Sequence, residues 1–151
     1  GVAYEHFTVS NCLVNMVSPA AYENLLLGFD VCFAHRYGLI GVHNCAWDAT
    51  PYLGAYSRIP NAGYIDMGLE SDLKQARKLF PQARRAIMYK PTDLARKSVA
   101  ELRADLERAA RDYGPCDVVF ADIEADVPDR RVLDAVDICR EISLRSPAGA
   151  G

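Results

Sequence analysis

The sequence predicts an α/β fold with a parallel sheet, and three observations carry that reading. Short continuous apolar runs alternate with amphipathic helical patterns along the chain. The runs are apolar throughout rather than alternating, as expected of strands covered on both faces. They recur roughly every 20 to 30 residues, the spacing of right-handed strand-helix-strand units.

The elements follow in order. A first strand is expected within residues 6–17, "HFTVSNCLVNMV". Ser18 and Pro19 then supply a cap and a proline at the first helical position. Behind them Tyr22, Leu25, Leu26, Phe29 and Phe33 form one apolar stripe at helical spacing, expected to face the core. "GLIGVHNC" (38–45) is the second strand and "GYIDMG" (63–68) the third. Ser71 opens the helix "SDLKQARKLF", which must stop before Pro81. "RRAIMYK" (84–90) is the fourth strand, with Arg84 and Arg85 at its start, on the end that serves stability. Ser98 and Glu101 form a capping box for a helix with Leu102, Leu106, Ala109 and Tyr113 on one face. "CDVVFADIE" (116–124) is the fifth strand. Asp129 caps a last helix that buries Val132, Val136, Cys139 and Ile142, and "SPAGAG" (146–151) reads as a flexible tail. Two architectures accommodate this order: an open doubly wound sheet, or part of an eight-stranded (β/α)8 barrel. No glycine-rich phosphate turn follows a strand, which disfavours the nucleotide-binding doubly wound form.

Bulk properties exclude several classes. With 151 residues the chain has the length of one domain, and half of those residues are hydrophobic. The net charge of −3 offers no basic surface for nucleic acid or anionic lipid. No apolar run reaches the roughly 20 residues of a membrane helix. Five scattered cysteines, an odd number without a secretion pattern, point to reduced thiols in a cytoplasmic protein. Cys32 and Cys139 fall on helices and read as buried packing.

Candidate chemistry gathers at the carboxyl ends of the strands, where parallel α/β folds build their sites. His43 and Cys45 lie two positions apart at the end of "GVHNC", so they share one face of a strand. An imidazole and a thiolate are two good zinc ligands, and a third from another strand would leave one position open. The plain alternative is a packed histidine beside a buried free cysteine. Asp66, Asp122 and Glu124 also end strands, as candidates for general acid, base or metal ligand. Asp122 and Glu124 are expected on one face of the fifth strand, while Asp126 and Asp129 read as caps of the next helix. Tyr89 could donate a proton and Lys90 could hold an anion. Trp47 and Asp48 follow the His-x-Cys pair and are expected to wall a cofactor or substrate pocket. Asn11 and Cys12 end the first strand, on the same rim if the strands are parallel.

Four stretches, "MVSPAAYENLLLGFD", "HNCAWDATPYL", "GYIDMGLESDLKQARKLFP" and "ADIEADVPDRRVLDAVD", cover most of residues 10 to 143 in one order. In that order the chain resembles the carboxyl-terminal half of the uroporphyrinogen decarboxylase and corrinoid methyltransferase superfamily. The resemblance implies a partial (β/α)8 barrel over residues 1–145. The zinc-dependent methyltransferases of the group carry His-x-Cys where His43 and Cys45 stand, with a later cysteine as third ligand. Without gaps that cysteine falls on Ala121, so a neighbouring carboxylate, Asp122 before Glu124, is the expected replacement. The reaction so implied is transfer of a methyl group from a corrinoid, free or on a partner protein, to a small-molecule thiol.

Two other classes stay open. A decarboxylase-type lyase acting on a tetrapyrrole would need no metal, although the family's arginine-bearing amino-terminal segment has no match here. A non-catalytic fragment or binding module is the third. A half barrel would also leave two strand edges unpaired, which implies a homo-oligomer or a preceding amino-terminal half.

Overall fold

The computed structural model describes residues 7–145 of the chain; the expected tail at 146–151 lies outside them. The strands are β1 (Phe7–Ser10), β2 (Ile40–His43), β3 (Ala62–Gly68), β4 (Arg84–Tyr89) and β5 (Asp117–Phe120). They form one sheet in the order β1-β2-β3-β4-β5, and every neighbouring pair is parallel. That order decides between the two architectures. A doubly wound sheet reverses its strand order at a switch point, whereas a barrel adds each strand beside the last. The chain therefore has the strand arrangement of a partial barrel.

Helices fill each crossover: α1 (Pro19–Ala21), α2 (Leu27–Tyr37), α3 (Leu53–Tyr56), α4 (Leu73–Leu79), α5 (Pro91–Arg96) and α6 (Val99–Tyr113); α7 (Asp129–Arg145) follows β5. Ser18 caps α1 by accepting the Ala21 N–H at 3.1 Å, with Pro19 at the first helical position. The capping box of Ser98 and Glu101 is present, and Leu102, Leu106, Ala109 and Tyr113 are all buried on one face of α6. Arg85 is buried at the start of β4 and donates to the carbonyls of Tyr113, Phe80, Pro81 and Pro115. It ties the amino-terminal end of the sheet to the segments entering β4 and β5, the stabilising role expected there. Among the described residues no helix is long and apolar enough to cross a membrane.

Several expectations are corrected. The stripe through Leu25, Leu26, Phe29 and Phe33 does not face the core: Tyr22 is buried, but the other four are exposed. A π-helical turn at Tyr22–Leu26 separates α1 from α2. Its extra residue rotates everything downstream by about 100°. Leu27, Asp30 and Ala34 turn inward instead. Asp72, not Ser71, caps α4 by accepting the Gln75 N–H, while Ser71 Oγ accepts the Ala49 N–H at 3.0 Å. The buried face of α7 centres on Ala135 and Ile138, with Val132, Cys139 and Ile142 packed at its margins. Cys32 is exposed rather than buried. The fifth strand ends at Phe120, four residues before the expected limit, and Asp122 adopts a positive φ of 53°.

At the β1 edge, Phe7 stacks on Tyr37 at 4.3 Å and meets Phe33 at 5.5 Å, and Phe29 and Leu25, earlier in the same crossover, are also exposed. Within the described residues β1 pairs only with β2, and β5 only with β4. Open edges flanked by apolar surface favour association. Sedimentation velocity should therefore show concentration-dependent dimers or larger species, and Leu25→Asp combined with Phe29→Asp should shift them toward monomer. A monomer at every concentration would contradict edge-driven association.

Candidate metal centre

The site begins with strand register. Ser10 pairs with His43 across β1 and β2, and the Asn11 N–H continues the ladder to the His43 carbonyl at 2.8 Å. Two residues beyond Ser10 is Cys12; two beyond His43 is Cys45. The two sulfurs meet, with Cys45 Sγ donating to Cys12 Sγ at 2.7 Å. His43 Nε2 lies 3.6 Å from Cys45 Sγ. One ligand atom from each of Cys12, His43 and Cys45 falls within 4.8 Å of the others.

Each Asn-Cys dipeptide is anchored by its asparagine. Asn11 is buried and donates Nδ2–H to Asp30 Oδ2 at 3.1 Å, and Tyr22 donates its hydroxyl to the same oxygen at 2.5 Å. Asn44, fully buried, donates Nδ2–H to the Asp66 carbonyl at 2.9 Å and accepts the Tyr56 hydroxyl at 2.7 Å. The neighbouring cysteines are left at the carboxyl rim, half-buried. Gly68 allows this rim to close up: its N–H reaches the Trp47 carbonyl at 2.9 Å. A Cβ on Gly68 would stand 2.7 Å from backbone atoms of Ala46 and Trp47.

Asp66 fixes the histidine. Its buried carboxylate accepts the His43 Nδ1–H at 2.7 Å, the Asn44 N–H at 2.6 Å and the Tyr64 hydroxyl at 2.8 Å. A carboxylate in that position accepts, so Nδ1 carries the proton and Nε2 is the nitrogen free to ligate. This is the carboxylate-histidine pairing that orients metal-bound imidazoles. The Asp66 hydrogen bond raises the pKa of His43 above its ordinary value. The two thiols diverge. Burial pushes Cys45 up to about 11, and its contact with Cys12 adds to that. At Cys12 burial also acts upward, but hydrogen bonds from Cys45 and Ser10 and the charge of His43 outweigh it and lower the pKa.

The structure brings together only part of the expected set. His43, Cys45 and Asp66 converge, and the third metal-type ligand beside them is Cys12, not Asp122. Asp122 follows β5, three strands from β2 and so about 14 Å along the sheet at the usual strand spacing. It is exposed, as is Glu124, and with β5 ending at Phe120 they share no strand face. Glu124 instead lines a cleft of about 290 Å³ with Pro91, Arg96 and Asp126. Tyr89 is buried and donates its hydroxyl to Asp105 of α6 at 2.7 Å, which directs it to the helix layer. Asp48 is exposed and accepts the Thr50 N–H at 2.9 Å, and the Trp47 ring meets Tyr52 edge-on at 5.5 Å. The sequence signal for Cys12 is the repeated Asn-Cys at the ends of the first two strands, Asn11-Cys12 and Asn44-Cys45.

No family model and no curated protein matches the sequence. Among solved structures, a methyltransferase from Methanosarcina mazei aligns over 90% of this chain with a TM-score of 0.68 and 15% identity. The chain spans 42% of that protein's length. At such identity the likeness is one of fold alone.

The hydrogen bond to Asp66 makes a signed prediction for the metal-free, reduced protein. A histidine whose folded pKa is raised adds stability below its unfolded value of about 6.5, and loses it as pH climbs through the folded value. His43→Gln should therefore cost more stability at about pH 5.5 than at about pH 9 by denaturant titration. In Asp66→Asn, NMR titration should find the His43 pKa moved down. An unmoved pKa would mean that Asp66 does not hold the ring.

Proposed function

We propose that this chain carries the zinc centre of a methyltransferase-like enzyme that passes a methyl group from a corrinoid to a small-molecule thiol. The observation that supports it is the convergence of Cys12, His43 and Cys45 on one point at the carboxyl rim of a partial barrel. Two thiolates and a neutral imidazole match zinc in softness and in charge, and three protein ligands leave a fourth position for a substrate. The likeness in fold to a methyltransferase favours the same reaction class.

Bound there, zinc would favour the thiolate form of a substrate thiol near neutral pH. The chain's own groups prepare the place. Asp66 keeps the His43 proton on Nδ1 and Nε2 toward the sulfurs, and is therefore a positioning residue. Tyr64 and the Asn44 amide hold Asp66 in turn. Asn11, braced by Asp30 and Tyr22, holds the turn that presents Cys12. A tetrapyrrole decarboxylase would give the two-thiol, one-imidazole group no role.

Metal analysis tests this. The reduced parent should bind one zinc per chain, and Cys12→Ser, Cys45→Ser and His43→Ala should each lose it. Asp122→Ala should bind like the parent. Asp66→Ala should weaken binding by about 10- to 100-fold, the usual effect of removing a histidine's carboxylate partner. A parent without zinc, or a Cys12→Ser variant that retains it, would overturn the proposal.

A further inference from the structure

We propose that Cys12 and Cys45 form a reversible disulfide when they meet a low-molecular-weight disulfide, and that this linkage releases the metal. The inference rests on the zinc reading only for its second half. The first half stands on backbone register and sulfur contact alone.

Ser10 and His43 are partners across two parallel strands, and the Asn11 N–H extends the ladder one residue further. Continued by one more, it sets Cys12 opposite Cys45. Adjacent strands run about 4.8 Å apart, inside the roughly 4.4–6.8 Å Cα separation of disulfides. The sulfurs already touch at 2.7 Å, so forming the bond needs no rearrangement of the strands. Both residues sit half-buried at the rim, beyond the last ladder pair, where a small disulfide can reach them. The other three cysteines are placed differently: Cys32 is exposed on α2, Cys116 directs its Sγ to the Ala109 carbonyl, and Cys139 packs on the core.

The chemistry balances through two exchanges. The thiolate of one cysteine attacks a sulfur of the reagent disulfide; the reagent S–S bond breaks and one small thiolate leaves, taking up the proton the cysteine gave. The second cysteine then attacks the first one's sulfur in the mixed disulfide, and the second small thiol departs. The protein pair gives up two electrons, and the reagent disulfide is reduced to two thiols. Neither sulfur is then a thiolate, so of the three ligands His43 alone remains, too little to retain zinc.

The test treats the reduced, zinc-free chain with oxidised glutathione, counts free thiols and maps peptides. Thiols should fall by two per chain, with the Cys12 peptide joined to the Cys45 peptide, and dithiothreitol should restore both. Cys12→Ser and Cys45→Ser should each abolish that linkage, and Cys32→Ser should leave it intact. In zinc-loaded protein the linkage should form more slowly, with zinc released in step. Retention of all thiols, a lasting glutathione adduct on either residue, or linkage elsewhere would overturn the inference. If the reduced chain binds zinc yet forms no linkage, this inference fails alone. If the linkage forms in a chain that binds no zinc, the zinc reading fails and takes the metal-release half with it, while the disulfide half stands.

Discussion

One buried carboxylate organises the rim of this sheet. Asp66 is nearly inaccessible, and an unpaired charge there would be very costly. Three donors satisfy it, two from the β2 end (His43 and the Asn44 amide) and one from its own strand, Tyr64. The same bonds that make its burial tolerable also fix the histidine's tautomer, aim Nε2 at the sulfurs and lock the end of β2 to β3. Asn44 adds a bond to the Asp66 carbonyl and passes the constraint to Tyr56. The position of Cys45 follows from that lock, and the position of Cys12 follows from the register of β1 on β2.

Sequential strand order explains why such a site can be assembled within five strands. Each strand lies beside its predecessor, so the ends of β1, β2 and β3 are neighbours on one rim. All the groups that would ligate, orient or brace come from these three strands, the turns at their ends, and the helical segments that follow β1 and β2. The other side of the sheet does different work: Tyr89 and Asp105 tie β4 to α6, and Arg85 closes the opposite pole. The cost of the partial barrel appears at the β1 edge, where Phe7, Phe33 and Tyr37 cluster in solvent.

Much of the fold was legible because its signals are local. Continuous apolar runs located five strands, and Ser98 with Glu101 set the start of α6. What failed depended on geometry that spacing does not encode. A π-turn has no residue signature, so the stripe from Leu25 to Phe33 was assigned to the wrong side of its helix. The fifth strand reads too far in the sequence because Ala121, Asp122, Ile123 and Glu124 keep a strand-like alternation past the last ladder pair at Phe120. At the site, same-face spacing found His43 and Cys45, and the end of β3 supplied Asp66. The third ligand was sought downstream at Asp122 through resemblance to a family, although strand adjacency favours β1. Asp66 reads as a catalyst from its place at a strand end, and its hydrogen bonds to His43, the Asn44 amide and Tyr64 show in addition that it holds the histidine.

Two cysteines and one histidine from adjacent strand ends are proposed to form a single zinc site. X-ray absorption at the zinc edge tests it most directly, because it reports the ligand atoms themselves. The zinc-loaded chain should show two sulfurs at about 2.3 Å and one imidazole nitrogen at about 2.0–2.1 Å, with one further light atom completing the shell. A shell of only oxygen and nitrogen, or one with a single sulfur, would contradict it.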